Sequence, residues 1–153
     1  MNIELLLTPS RTRHHVEATS KRQTLEILAA TIAQDIPSLN VEALLRRFLA
    51  RERLGSTGIG YGIAIPHCCI EECSHAIGAL ITLKEPVDFD AIDSQPVDIL
   101  FALIVPEAAN TEHLQNLAAL ASAMNNAQFR QQLRDAEDDS MLHSAATFKD
   151  ATK

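Results

Sequence analysis

The sequence predicts a single α/β domain, a central mixed β-sheet sandwiched between helices, on three observations. Two segments with apolar residues at helical spacing come first, two long aliphatic runs suited to buried strands follow, and helical periodicity then returns. The 153 residues suit one such domain spanning 1–153 and leave little room for a second. A disordered tail is expected after about residue 148.

Each element has a local reason. Ser20-Lys21-Arg22-Gln23 is a capping box: the serine satisfies an early N–H and the glutamine reaches back. Leu25, Leu28, Ala29 and Ile32 then recur at helical spacing until Pro37. Asn40 can cap a second helix, with Val41, Leu44, Leu45, Phe48 and Leu49 at apolar positions. Arg46, Arg47, Arg51 and Arg53 lie on its polar face and C-terminal end. Residues 55–62 hold four glycines in eight positions, a backbone that bends where others cannot. Residues 63–67 form a short extended run. Residues 76–83 and 97–105 are too apolar for an exposed edge and are predicted as buried strands. Between them Pro86, Asp88, Asp90 and Asp93 mark turns around a short strand at 87–89. Asn110 or Thr111 caps a third helix with Leu114, Leu117, Ala121 and Met124 inward, and shorter helices over 128–135 and 139–147 close the domain. The pattern leaves strand order open.

Composition excludes several classes of function. A balance of 13 basic and 20 acidic residues, net −7, argues against a nucleic-acid or anionic-membrane surface as the main partner. Local basic stretches at 11–15 and at Arg46, Arg47, Arg51 and Arg53 still allow a cationic patch. Tryptophan is absent and aromatics make up 4%, so the core must be aliphatic. The apolar run at residues 3–7 is interrupted by Glu4 and lacks a basic leader, unlike a signal peptide. No stretch approaches the ~20 apolar residues that span a bilayer. Three cysteines crowded into one segment do not make a secreted disulfide framework. A cytoplasmic location is expected.

The chemistry concentrates at Gly60-Tyr-Gly-Ile-Ala-Ile-Pro-His67. Pro66 fixes its own φ and pushes Ile65 into an extended conformation, so the backbone before His67 is stiff. The histidine is expected just past a strand end, held in one orientation. With an ordinary pKa of about 6.5 its ring is mostly neutral near pH 7, and a neutral imidazole is already a competent nucleophile. A hydrogen-bonded loop histidine would look the same locally.

The segment from Glu52 through Cys68 resembles the signature around the phosphorylated histidine of fructose/mannitol-type IIA domains of the bacterial phosphotransferase system. The stretch Arg51-Glu-Arg-Leu-Gly-Ser-Thr-Gly-Ile-Gly and the block Phe89-Asp-Ala-Ile-Asp-Ser-Gln-Pro-Val-Asp-Ile-Leu-Phe-Ala-Leu-Ile-Val-Pro106 resemble the nitrogen-regulatory branch in particular. The likeness is strong over residues 51–117 and weak after about residue 125. It implies a phosphohistidine carrier with a mixed sheet flanked by helices, and no cofactor. His67 would accept the phosphoryl group from a histidine-phosphorylated, HPr-like donor. Arg51 matches the active-site arginine and suits bidentate hydrogen bonding to phosphate. His113, in a helix opening that resembles the family's, would orient and stabilise the phosphate. The Ser56 and Thr57 hydroxyls and the Cys68 N–H are further candidate phosphate donors. The implied role is regulatory, with phosphorylation deciding which target (a sensor kinase or a transporter, for example) is bound. The alternative is a sugar-specific IIA component relaying phosphate to a IIB domain. Direct membrane insertion is not implied.

The chain departs from the family's usual residues at Cys68, where glycine or alanine is common, at Tyr61, where asparagine is usual, and at Cys69. These changes bear on partner preference. Three rival readings are weaker. His67, Cys68, Cys69, Cys73 and His75 are soft ligands, but a zinc site wants a second ligand pair further along and none follows. A Cys68 thiol beside the imidazole invites redox control through adjacency alone. The glycine stretch lacks the Gly-Lys-Ser/Thr ending of a nucleotide loop. His14, His15, His75 and His143 are expected on the surface.

Overall fold

The computed structural model describes residues 3–71, 73–107 and 111–147, with 111–114 described at the backbone only. Helix α1 (Ile3–Leu6) and a 3-10 turn (Pro9–Arg11) lead into β1 (Thr12–Val16), α2 (Lys21–Asp35) and α3 (Val41–Leu54). Strands β2 (Gly58–Gly60), β3 (Ile63–Ala64), β4 (His67–Ile70), β5 (Ile77–Val87) and β6 (Val97–Pro106) follow. Helices α4 (Thr111–Met124), α5 (Ala127–Asp135) and α6 (Asp139–Thr147) come last.

Residues 77–83 of β5 and 99–105 of β6 are continuously buried, as strands covered on both faces must be. They pair antiparallel in the middle of a sheet of order β1-β5-β6-β3-β2. Strand β4 runs parallel to β6 beyond the end of β3. With β1 parallel to β5, the sheet is mixed, as expected. Alternation of side chains divides the core into two layers. Ala79, Ile81, Leu100, Ala102 and Ile104 pack against Leu25, Leu28, Ile32, Leu44 and Phe48 of α2 and α3. Leu80, Ile99 and Phe101 face Leu120, Phe129, Leu133 and Leu142 of α4, α5 and α6.

The caps form where the sequence put them. Ser20 accepts the Gln23 N–H, and the Gln23 side chain accepts the Thr19 N–H and hydroxyl. The Asn40 side chain accepts the Ala43 N–H.

Several expectations need correction. Residues 11–15 are not simply a basic surface stretch but include most of β1. His15 (φ +48) and a register shift between Arg13 and Val16 break the two-residue alternation that would have revealed the strand. Arg11 is buried, donating to Asp35 and to the carbonyls of Leu6 and Gly78. There is no separate strand at 87–89. Val87 is the end of β5, paired with Val97, and Pro86 lies inside β5 where the register is irregular and its missing N–H is tolerated. His67 lies three residues past the end of β3, as expected, but is itself the first residue of a further strand, β4. His14 is half-buried on Asp139, and the half-buried His143 lies 3.2 Å from the Leu7 carbonyl, so neither is a free surface residue.

Candidate functional site

The site is assembled where the C-terminal end of α3 meets the start of β4. Leu44 and Phe48 anchor α3 in the core, and one turn further along the same stripe stands Glu52, 8% exposed. Its carboxylate accepts the Thr57 N–H at 3.1 Å, the Thr57 hydroxyl, and the Lys21 ammonium at 2.9 Å. Glu52 thus ties α2 and the glycine loop to the end of α3. Sequence reasoning passed over it, although an acid at the 44/48/52 spacing, on an otherwise apolar stripe, is the signal that would have found it. Ser56 staples the loop from the other side, donating to the Phe89 carbonyl at 2.7 Å and accepting the Gly58 N–H. Gly58 is required there, because a Cβ would lie 2.7 Å from that of Ala91.

His67 is held equally firmly. The carbonyl of Pro66 accepts the Leu103 N–H at 2.9 Å, and the Ile65 N–H donates to Thr57 at 3.0 Å. The ring's Nδ1 lies 2.7 Å from the Ile65 carbonyl, and its Nε2 lies 3.2 Å from Nε of Arg51. A carbonyl only accepts and a guanidinium only donates, so one neutral tautomer satisfies both: Nδ1 carries the proton and Nε2 carries the lone pair. Burial first, and the Arg51 charge beside it, hold the imidazole below its ordinary 6.5, against the opposing pull of the Ile65 carbonyl and Glu52. The half-buried ring is therefore neutral, with its lone pair on Nε2 beside Arg51.

Arg51 also donates from Nη1 to the Gly55 carbonyl at 2.8 Å. With Nε and one Nη1 proton engaged, the remaining donors of the five-donor fork can receive an anion.

The other candidate donors fare differently. The Ser56 and Thr57 hydroxyls are committed to Phe89 and Glu52, so they build the loop rather than offer free protons to phosphate. The Cys68 N–H is no free donor either. Leu103 and Glu107 donate to the carbonyls of Pro66 and Ile70, and the alternation of a parallel ladder then directs the intervening Cys68 N–H to Leu103. His113 lies in the first turn of α4, and its side chain is outside the described residues.

The cysteines separate by face. Cys68 is buried among the α2–α3 layer, and its thiol is pushed up to about 12, chiefly by burial. Thiolate is scarce there at neutral pH, which removes the basis for redox control through Cys68. Burial also raises the Cys73 thiol. The exposed Cys69, two residues along β4, shares a face with His67. All three are free thiols. Among the described residues no three His, Cys, Asp or Glu side chains are grouped to hold a metal ion.

Residues 5–146 match the family described as phosphoenolpyruvate-dependent sugar phosphotransferase system, EIIA 2. The chain belongs to this EIIA 2 family. A nitrogen regulatory protein of Pseudomonas aeruginosa is 43% identical over 143 residues, covering 94% of this chain and 93% of that protein. The crystal structure of nitrogen regulatory protein IIA-Ntr from Neisseria meningitidis superposes with a TM-score of 0.88 at 35% identity, covering 95% of this chain and 99% of that one. Mannitol IIA of Escherichia coli shares the fold at a TM-score of 0.75 and 17% identity, covering 92% and 98%. The chain is a regulatory-type EIIA 2 phosphocarrier component by these near full-length likenesses. None of its described helices is long and apolar enough to cross a membrane.

Proposed function

We propose that His67 accepts a phosphoryl group at Nε2 from a histidine-phosphorylated HPr-like carrier, and that the protein is a cytoplasmic regulator whose targets read this state. The observation that carries the proposal is the pair of contacts on one ring: Nδ1–H on Ile65 and Nε2 beside Arg51. As the donor's P–N bond breaks, its electron pair returns to the donor ring, and the Nε2 lone pair forms the new bond to phosphorus. The His67 proton stays on Nδ1, donated in a hydrogen bond to the Ile65 carbonyl, so no base is required. Arg51 moves its N–H from nitrogen to the incoming oxygens, exchanging a 3.2 Å contact with a neutral ring for hydrogen bonds to anionic oxygens. His113, by family resemblance, is the further phosphate-orienting residue.

Phosphorylation adds about −1.5 to −2 charge beside Arg51, enough to change a docking surface without changing the fold. The nitrogen regulatory relatives favour regulation over sugar relay.

The test is incubation with enzyme I, an HPr-type carrier and phosphoenolpyruvate, followed by intact-mass analysis. One acid-labile phosphoryl addition, absent from His67→Ala, is expected. Addition to the alanine variant, or none to the native protein, overturns the assignment. Rapid onward transfer to a IIB domain, with no target that distinguishes the two states, would favour sugar relay.

A further inference from the structure

The solvent face of α3 carries a cationic surface that phosphate capture alone does not explain. At 3.6 residues per turn, Arg53, Arg46, Ala50, Leu54, Arg47 and Arg51 follow one another around an arc of roughly 160°. Arg46, Arg47, Ala50, Arg53 and Leu54 are exposed, Leu54 to 85%. The helix dipole accounts for cations in the last turn, where Arg51 and Arg53 lie, but Arg46 and Arg47 stand further back. Among the described residues no salt bridge involves any of the four, and Glu42, one turn before Arg46, forms none with it. Four arginines on one face, none in a salt bridge among the described residues, are a local reversal of sign on a chain of net charge −7.

The patch is continuous with the acceptor. Arg47 lies one turn before Arg51 on the side turned to β4, and its charge reaches Cys68. We infer that this face of α3 docks an acidic segment of a partner protein, and that phosphorylation of His67 weakens the docking. The second half rests on the phosphocarrier reading above. An acidic protein fits better than nucleic acid: the patch covers one helix face, and no aromatic side chain lies on it for stacking. Exposed Leu54 at its C-terminal end offers an apolar contact that a protein surface can bury. A phosphoryl group on His67 draws the Arg51 charge to itself and sets negative charge beside the arginine one helix turn from Arg47.

The experiment measures fluorescence anisotropy of labelled poly-L-glutamate at low and moderate salt. Its arms are the native protein, the enzymatically phosphorylated protein, His67→Ala, and an Arg46→Gln/Arg47→Gln/Arg53→Gln variant that leaves Arg51 in place. Salt-sensitive binding by the native protein and His67→Ala, roughly tenfold weaker in the triple variant, is expected from three exposed charge contacts. Phosphorylation should weaken binding severalfold. Equal binding by the triple variant, or preference for duplex DNA or anionic vesicles over poly-L-glutamate, overturns the docking assignment. Unchanged binding by protein shown by mass to be phosphorylated overturns the switch. If mass analysis finds no phosphorylation, the carrier reading fails while the triple-variant arm still decides the docking face.

Discussion

Replacing Glu52 by glutamine tests whether the buried carboxylate holds the site together. Glutamine keeps the shape and one acceptor oxygen for Thr57, but turns an NH2 group towards either Lys21 or the Thr57 amide. The bonds affected are those to Lys21 at 2.9 Å and to the Thr57 N–H at 3.1 Å and its hydroxyl. A hydrogen bond to a charged group contributes roughly 1.5–3 kcal/mol net. Lys21 has a second carboxylate, Asp90 at 3.3 Å, but that side chain is 80% exposed and compensates little. A destabilisation of about 2–3 kcal/mol follows, which lowers Tm by roughly 4–12 °C in a domain of this size. Because Gly55, at the start of the loop, orients Arg51, phosphoryl transfer should also slow by about tenfold at a temperature where the variant is folded. Urea unfolding gives the first quantity and quenched-flow phosphorylation the second. A double-mutant cycle with Lys21→Met should return a coupling of about 1 kcal/mol or more. Stability within about 0.5 kcal/mol of native, with no coupling and an unchanged rate, would refute the anchoring role.

Arg51→Lys places one point charge where a fork must reach both the Gly55 carbonyl and the incoming phosphate; transfer should fall by about a hundredfold in quenched flow with the fold intact. An unaltered rate would remove Arg51 from the chemistry. The lowered pKa of His67 keeps Nε2 unprotonated as pH falls through 6.5, so the transfer rate should hold at pH values where an ordinary histidine loses it. The unfolded chain takes up its proton first, so in the window between the lowered value and 6.5 it binds more protons than the fold, and stability declines as pH drops. An NMR titration of the ring carbons at or above 6.5 would contradict both statements.

Much of this architecture was legible because period and caps agree. Ser20 and Asn40 mark helix starts, and uninterrupted aliphatic runs mark the two central strands. What escaped was short or irregular. Strand β1 is bent by His15, and β4 is four residues whose pairing depends on a distant strand, a dependence no local pattern encodes. At the site, His67 and Arg51 were readable from resemblance, but their contact was not, since it joins a helix end to a strand edge. The hydroxyls of Ser56 and Thr57 illustrate the converse. Residue type suggested anion binding, whereas the neighbouring Phe89 carbonyl and Glu52 carboxylate had already claimed their protons.

The imidazole belongs to the sheet, while the guanidinium that touches it rides on a helix packed over the opposite face. The contact between imidazole and guanidinium is therefore a gauge of how α3 seats on the strands beneath. Trimming or enlarging a side chain at Leu44 or Phe48 would shift that seat and retune the proposed acceptor without altering a single atom of His67 or Arg51. Related chains can in this way drift in reactivity through ordinary variation in their interiors.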